Sequence, residues 1–236
     1  MDKNYTESLN FWNQAFNMSD EEKEKFINGI DPDNDWKDLA SCEKLKDVLV
    51  KQLALQKNVL DYGCGEGWAG IILNKSGCEN VTSVDVAENA ILLADLMKQA
   101  FKIEKGMETK CISVDWLKEV QDDFYDGIFC SNVIDVLPEN VAEGILENFA
   151  RIATFDAKIV IAMNYYVPPV NNPEKKIEFR NENELYLDGV LRMVTRTDDE
   201  WTEIFGKYFD IEKIEYFTWP GETEEKRRIF IMKKKN

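Results

Sequence analysis

The chain has 236 residues, of which 44% are hydrophobic and 31% are charged, so it is long and apolar enough to bury a full core. With a net charge of −16 and no long apolar run, we expect neither a nucleic-acid partner nor a membrane span. The chain contains no histidine, which excludes Ser-His-Asp catalysis, Cys-His catalysis and histidine-ligated metal sites.

The five cysteines are odd in number and widely spaced, and no two of them form a C-x-x-C pair. This pattern predicts reduced thiols rather than a disulfide framework or a zinc site, and we expect no metal. The first residues lack the basic and apolar stretches of a secretory signal. The expected location is therefore the cytoplasm.

Residues 1–56 are predicted to form an N-terminal helical cap. Spacings of 4, 3 and 4 place four large side chains on one helix face: Tyr5, Leu9, Trp12 and Phe16. Ser19 and Glu22 have the spacing of a capping box, which predicts a second helix that ends near Gly29. A third helix is expected over about 38–54.

From residue 57 onward, short apolar segments alternate with helical ones. Strands are predicted over 57–62, 80–86, 109–114, 125–131 and 157–165. Helices are predicted between them over 66–75, 88–102 and 139–153. This alternation predicts right-handed crossovers and a doubly wound α/β fold, in which helices cover both faces of a parallel sheet.

The C-terminal part has a different pattern. Residues 185–192 contain Asp-Gly between two apolar runs, which predicts a hairpin. Thr197 begins another capping box and a helix to about Phe205. No helix separates the last two strands, predicted over 211–218 and 228–234. They are therefore expected to form an antiparallel C-terminal edge of a mostly parallel, seven-stranded sheet.

The segment Val59–Gly67, V-L-D-Y-G-C-G-E-G, is an apolar strand followed by a glycine-rich loop. Glycines let the backbone turn sharply and let a ligand approach without a Cβ in its way. The spacing G-x-G-x-G differs from the G-x-G-x-x-G of nicotinamide dinucleotide enzymes. The segment resembles motif I of the class I S-adenosylmethionine (SAM)-dependent methyltransferases, which often reads D-x-G-C-G-x-G.

The resemblance implies a Rossmann-like SAM-binding core over 57–166. Motif I would contribute the cofactor-binding residues Asp61, Gly63, Cys64, Gly65 and Gly67. Asp85, at the end of the second predicted strand, is implied to accept hydrogen bonds from both ribose hydroxyls. Val86 would pack on the adenine. The alternative for Asp85 is a solvated acid at a strand end.

Two further segments resemble the same family. In Cys111–Trp116, Asp115 is implied to contact the adenine amino group and Trp116 to line the base pocket, although Trp116 suits a plain core position equally well. In Phe124–Pro138, the resemblance implies that Asn132 would face the methionine part of SAM.

Asp135 is the candidate catalytic residue, and it stands where many relatives carry histidine. It would either accept a proton from the methyl acceptor or hold the acceptor by hydrogen bonding. The alternative is a structural role as N-cap of the helix that begins near Pro138.

The predicted function is methyl transfer from SAM to a nucleophilic atom of a small molecule, within one methyltransferase domain over 1–236. Segments 1–56 and 167–196 are expected to cap the cofactor and to form the acceptor pocket, and 197–236 to supply the C-terminal helix and strands. Four aromatic residues suggest such a pocket, although ordinary core packing would explain them nearly as well: Trp12, Tyr165, Tyr166 and Tyr186. The alternatives are an NAD-dependent oxidoreductase and a non-catalytic SAM-binding protein. The oligomeric state is left open.

Overall fold

The computed structural model describes residues 3–235, with side chains from residue 5 onward. Its strands are Asn58–Tyr62 (β1), Asn80–Asp85 (β2), Met107–Cys111 (β3), Tyr125–Ser131 (β4), Ala153–Met163 (β5), Ile177–Arg180 (β6), Glu184–Leu187 (β7), Val190–Val194 (β8), Phe209–Phe217 (β9) and Arg227–Lys234 (β10). Its α-helices are Lys3–Ala15 (α1), Asp20–Asn28 (α2), Glu43–Leu53 (α3), Trp68–Lys75 (α4), Glu88–Ala100 (α5), Glu139–Ile152 (α6) and Asp198–Gly206 (α7).

The central sheet has seven strands in the order β3-β2-β1-β4-β5-β10-β9. The first five pair in parallel, and β10 runs antiparallel to both β5 and β9. The predicted doubly wound sheet with antiparallel C-terminal strands is therefore confirmed. The strand order reverses between β1 and β4, and open α/β sheets bind their ligands at the carboxyl ends of strands beside such a reversal.

Helices cover both faces of the sheet because its middle strands are apolar on both sides. In β5 the last five residues are all buried. One core cluster contains Leu60, Ile128 and Phe149 of α6. A second core cluster includes Leu49 of α3 and Ile72 of α4. It contains other residues of the same strands.

A smaller antiparallel sheet, β6-β7-β8, lies between β5 and α7 in the chain. The predicted hairpin is present, and Asp188 and Gly189 form its turn with φ angles of 52° and 80°. Two successive positive φ values suit a two-residue hairpin turn. The sheet packs on α1, where the Arg192 guanidinium carbon lies 3.2 Å from the centre of the Phe11 ring.

Some predicted boundaries were wrong. β3 ends at Cys111 instead of reaching residue 114, and β5 begins at Ala153 instead of residue 157. The helix expected from residue 38 begins at Glu43, after a 3-10 turn at Asp35–Asp38. Within residues 3–235, no helix has the length and apolar character to cross a membrane, and no group of acidic or cysteine side chains is arranged to hold a metal ion.

Candidate functional site

The loop after β1 is fixed by the end of β2. The backbone N–H groups of Gly63 and Cys64 donate to the Val84 carbonyl at 2.8 and 3.0 Å. Gly63 and Gly65 have φ angles of 70° and 53°, a region that side chains with a Cβ rarely adopt. A Cβ at Gly63 would lie 2.2 Å from a methyl group of Val133, so the glycine lets the loop approach the segment after β4.

A cavity of about 320 Å³ opens at the carboxyl ends of β1, β2 and β4. The structure brings seven of the predicted cofactor-binding residues to its wall. They are Asp61, Gly63, Cys64, Gly65, Asp85, Val86 and Asn132. The reversal of strand order and the glycine-rich loop therefore define the same site.

Three other predicted residues are not on this wall. A Cβ at Gly67 would lie 3.1 Å from the Ala94 Cβ, so this glycine serves the packing of α4 against α5. Asp115 is exposed and forms an ion pair with Lys118 at 2.6 Å. Trp116 is buried in the core, which is the alternative role that its sequence position allowed.

The side chain of Asp85 holds the glycine-rich loop in place by hydrogen bonds. One carboxylate oxygen accepts a hydrogen bond from the Gly65 N–H at 3.0 Å, and the other accepts one from the Ala87 N–H at 2.8 Å. Each oxygen keeps a further acceptor position, which a ligand hydroxyl can use. Burial raises the pKa of Asp85. Its proximity also contributes to raising the pKa of Tyr5 to about 12, after the larger effect of burial.

Asp61 lies deeper in the site and is fully buried. Its Oδ2 accepts hydrogen bonds from the Gly70 N–H at 3.2 Å and from the Ser83 hydroxyl at 3.1 Å. These bonds join β1, β2 and α4 at the floor of the cavity. Burial raises the pKa of this carboxyl to about 7.

Helix α1 and the turn after it form one wall of the cavity. The four side chains predicted to share a helix face all line it: Tyr5, Leu9, Trp12 and Phe16. The Phe16 ring lies only 3.1 Å from the Cβ position of Gly65. Two hydrogen bonds between Asn13 and Asn89, at 3.0 and 2.9 Å, tie α1 to the start of α5.

A second cavity, of about 310 Å³, adjoins the first. Trp12, Asn132, Val136 and Trp219 line both cavities. Several of its other wall residues had no recognisable motif in the sequence: Asn164, Arg192, Met193 and Arg227. They converge only because β8, β10 and the end of β5 are brought together in the fold.

The structure places Asp135 away from the walls of both cavities. Its carboxylate is buried, and Oδ2 accepts bonds from the backbone N–H and side-chain amide of Asn164, each at 2.9 Å. The alternative N-cap role is wrong, because Pro138 occupies the N-cap of α6 and no side chain caps it. Asp135 therefore supports Asn164, which lines the second cavity.

Comparison with known proteins agrees with this geometry. The family described as "Methyltransferase domain" matches residues 55–211, which is more than half of the chain, so the chain belongs to that family. Over 86 residues it is 30% identical to the ubiquinone biosynthesis O-methyltransferase of Neisseria meningitidis serogroup C, covering 36% of each chain. Over 95 residues it is 32% identical to the ribosomal protein L11 methyltransferase of Acetivibrio thermocellus, covering 40% of this chain and 29% of the relative.

The chain thus aligns with only about a third of the length of these curated relatives. Among solved structures, it is similar to the Burkholderia thailandensis 1,6-didemethyltoxoflavin-N1-methyltransferase with bound 1,6-didemethyltoxoflavin and S-adenosylhomocysteine. The TM-score is 0.67 at 15% identity, over 91% of this chain and 87% of that one. This similarity establishes the Rossmann-like methyltransferase fold.

Proposed function

We propose that this protein transfers a methyl group from SAM to a small molecule. The observation that carries the proposal is the pair of adjoining cavities at the reversal of strand order. The first is bounded by the glycine loop and Asp85, and the second opens beside it past Asn132. A cofactor in the first cavity and an acceptor in the second would meet at the residues that both cavities share.

The first cavity fits SAM in its chemistry. Gly65 exposes backbone where a side chain would intrude, and Asp85 offers acceptor positions for two ribose hydroxyls. Val86 supplies an apolar surface for the adenine. The side-chain oxygen of Asn132 is buried without a hydrogen-bond partner, so it is available to the methionine part. The related toxoflavin enzyme has S-adenosylhomocysteine bound in its structure, which supports the same cofactor here.

When bound, SAM supplies a methyl group that its sulfonium makes electrophilic. The task of the chain is then to hold the acceptor in line and to exclude water, and proximity of this kind can lower a barrier substantially. Neither task requires histidine, which the sequence lacks. In this proposal Asp135 is a positioning residue, because it acts through Asn164.

A small acceptor is favoured over a macromolecule by the size of the second cavity, about 310 Å³, which is in the range of small-molecule sites. Trp12 of α1, Met193 of β8 and Trp219 of the loop between β9 and β10 contribute to its wall. The names of the ubiquinone-biosynthesis and toxoflavin relatives support the same class of acceptor. The relative named for ribosomal protein L11 supports the alternative of a protein acceptor.

Calorimetry and labelled SAM test this function in two steps. We expect SAM and S-adenosylhomocysteine to bind, and NAD not to bind. Labelled SAM is then incubated with the protein and with either the small-molecule or the protein fraction of a cell extract. Label transferred to the small-molecule fraction supports the proposal, whereas NAD binding alone or label only in the protein fraction contradicts it.

A further inference from the structure

The second cavity combines aromatic rings with positive charge. Trp12, Tyr165 and Trp219 contribute ring surface to its wall, and Arg192 and Arg227 contribute guanidinium groups. Within the described part of the chain, no aspartate or glutamate lines this cavity. Rings favour a flat ligand that can stack, and a positive charge that no carboxylate offsets favours an anionic ligand.

The two arginines differ in how far their charge is already used. Arg227 forms a two-pronged ion pair with Glu222, through bonds of 2.9 Å from Nε and 2.7 Å from Nη2, and it also donates to Asn164. It stacks on Trp219, with 3.6 Å between the guanidinium carbon and the ring centre. Arg227 therefore forms part of the cavity wall, and Glu222 offsets its charge.

Arg192 forms no ion pair with any residue that the structure describes. It lies on the ring of Phe11, and burial lowers its pKa. The charge of Asp188 acts on it, but Asp188 forms its own ion pair with Lys176 at 2.6 Å. An anion in the cavity would give the half-buried Arg192 guanidinium a charged hydrogen-bond partner.

Buried polar atoms without partners point to the same place. The indole nitrogen of Trp12 and Nε of Arg192 are each buried with no hydrogen-bond partner. Both residues line the second cavity. Since buried polar groups are nearly always satisfied, these two donors indicate a ligand with acceptor atoms.

We propose that the second cavity binds a planar methyl acceptor that carries an acidic group, and that Arg192 is the counter-ion that selects it. This inference rests on the proposed function, because it assigns the second cavity to the acceptor. The acidic group would accept hydrogen bonds from Arg192 and from the Trp12 indole nitrogen, while the rings of Tyr165 and Trp219 hold the flat part.

The test uses a matched pair of probes, 2-naphthoate and its neutral amide 2-naphthamide. Each is titrated by calorimetry into protein saturated with S-adenosylhomocysteine, so that the first cavity is filled. We expect the carboxylate to bind at least about tenfold more tightly than the amide, which is the range of one charge-assisted hydrogen bond. Equal affinity for the two probes, or no binding of either, would overturn the inference.

Arg192→Gln should remove this preference by weakening 2-naphthoate about tenfold or more, and it should change 2-naphthamide less than twofold. Arg180→Gln is the matched control, because Arg180 lies on the same small sheet, pairs with Glu178 at 2.8 Å and does not line the cavity. An equal loss for both probes in the Arg192 variant would contradict selection by charge. If Arg192→Gln does not fold, the preference of the unchanged protein decides the inference.

The result is separable from the proposed function. Failure of S-adenosylhomocysteine to bind counts against the function as a whole. If S-adenosylhomocysteine binds but 2-naphthoate is not preferred, the proposed methyltransferase function stands and only the proposal of an acidic acceptor is contradicted.

Discussion

The carboxylate of Asp135 holds both the backbone and the side chain of Asn164, with two hydrogen bonds of 2.9 Å to one oxygen. Asn164 in turn accepts bonds from Arg228 at its carbonyl and from Arg227 at its side chain. A single buried acid thus connects the segment after β4 to the start of β10. Two residues of this connection, Asn164 and Arg227, line the second cavity.

Asp135→Ala should lower the free energy of unfolding by about 1–3 kcal/mol, because it leaves the Asn164 donors unsatisfied in a partly buried place. Affinity for S-adenosylhomocysteine should change less than twofold, since Asp135 does not line the first cavity. Urea unfolding and calorimetry measure the two quantities. Asp115→Ala is the control, and its exposed ion pair with Lys118 should be worth at most about 1 kcal/mol.

Asp135→Asn separates a positioning residue from a general base. The asparagine oxygen can still accept both bonds from Asn164, so turnover should stay within a few fold of the original enzyme. A general base would lose about a hundredfold or more on this change. A loss of that size in kcat, with the affinity for S-adenosylhomocysteine unchanged, would restore the catalytic role.

The fold was predictable from the sequence because its signals are local. Apolar runs gave the parallel strands, and the capping boxes at Ser19 and Thr197 are both present. The hairpin turn followed from Asp188-Gly189. Boundaries failed where the fold overrides the local pattern. Residues after Cys111 are apolar enough for a strand, yet the chain leaves the sheet there and turns.

The position of the first cavity was also predictable, because a glycine-rich loop leaves a mark in the sequence. Of the second cavity, the sequence indicated the aromatic residues Trp12 and Tyr165 but not the arginines. Arg192, Trp219 and Arg227 stand in ordinary strand and loop contexts and meet only through the packing of two sheets. For Trp116 the sequence left a base-pocket role and a core position open, and the structure places it in the core, at the start of the 3-10 helix Trp116–Glu119.

Asp85→Ala should weaken the binding of S-adenosylhomocysteine about ten- to a hundredfold, because in the proposed complex the ribose would lose its charged acceptor. It should also lower the free energy of unfolding by about 1–3 kcal/mol, since the N–H groups of Gly65 and Ala87 lose their partner. Calorimetry and urea unfolding measure the two effects.

Asp126→Ala is the matched control for Asp85. Its carboxylate also accepts two backbone N–H bonds, from Lys57 and Asn58, each at 2.8 Å, but it does so at the amino end of β1. We expect a similar loss of stability without loss of affinity. If the two variants bind S-adenosylhomocysteine equally well, Asp85 has no role in binding the cofactor.

Gly65→Ala should weaken S-adenosylhomocysteine by about tenfold or more. The added Cβ would lie 3.1 Å from the Phe16 ring and would narrow the cavity. Gly77→Ala is the control, because Gly77 also has a positive φ, of 106°, but has open space around it. Both changes carry backbone strain of about 1 kcal/mol. Only the Gly65 variant should lose affinity, and an equal loss in both would assign the effect to strain alone.

Asn13→Ala should loosen α1, because it removes the Asn13 side-chain oxygen that accepts the bond from the Asn89 N–H and leaves only the bond from the Asn89 side chain to the Asn13 backbone carbonyl. Hydrogen exchange of residues 3–15 should slow when S-adenosylhomocysteine binds to the unchanged protein, and it should slow less in the variant. Asn10→Ala, on the exposed side of the same helix, controls for the higher helix propensity of alanine. If S-adenosylhomocysteine slows exchange equally in all three proteins, the Asn13 side chain has no part in the response, and if it slows exchange in none of them, α1 does not respond to the cofactor.

Asp61 should make stability depend on pH in a direction opposite to that of most carboxylates. Its folded-state pKa of about 7 lies above the value of about 3.9 expected in the unfolded chain, because burial disfavours the charge. Between these values the unfolded state gives up its proton first, so the contribution of Asp61 to stability is complete below about pH 4 and is lost as the pH rises toward 7.

Asp61→Asn removes this titration while its side-chain oxygen can still accept bonds from Gly70 and Ser83. From pH 5 to pH 7, the free energy of unfolding of the original protein should therefore fall by about 2 to 3 kcal/mol relative to the variant, and the difference should level off above pH 7. Urea unfolding of both proteins at pH 5, 6, 7 and 8 measures this difference, and a constant difference across the series would mean that Asp61 keeps an ordinary pKa and is charged throughout.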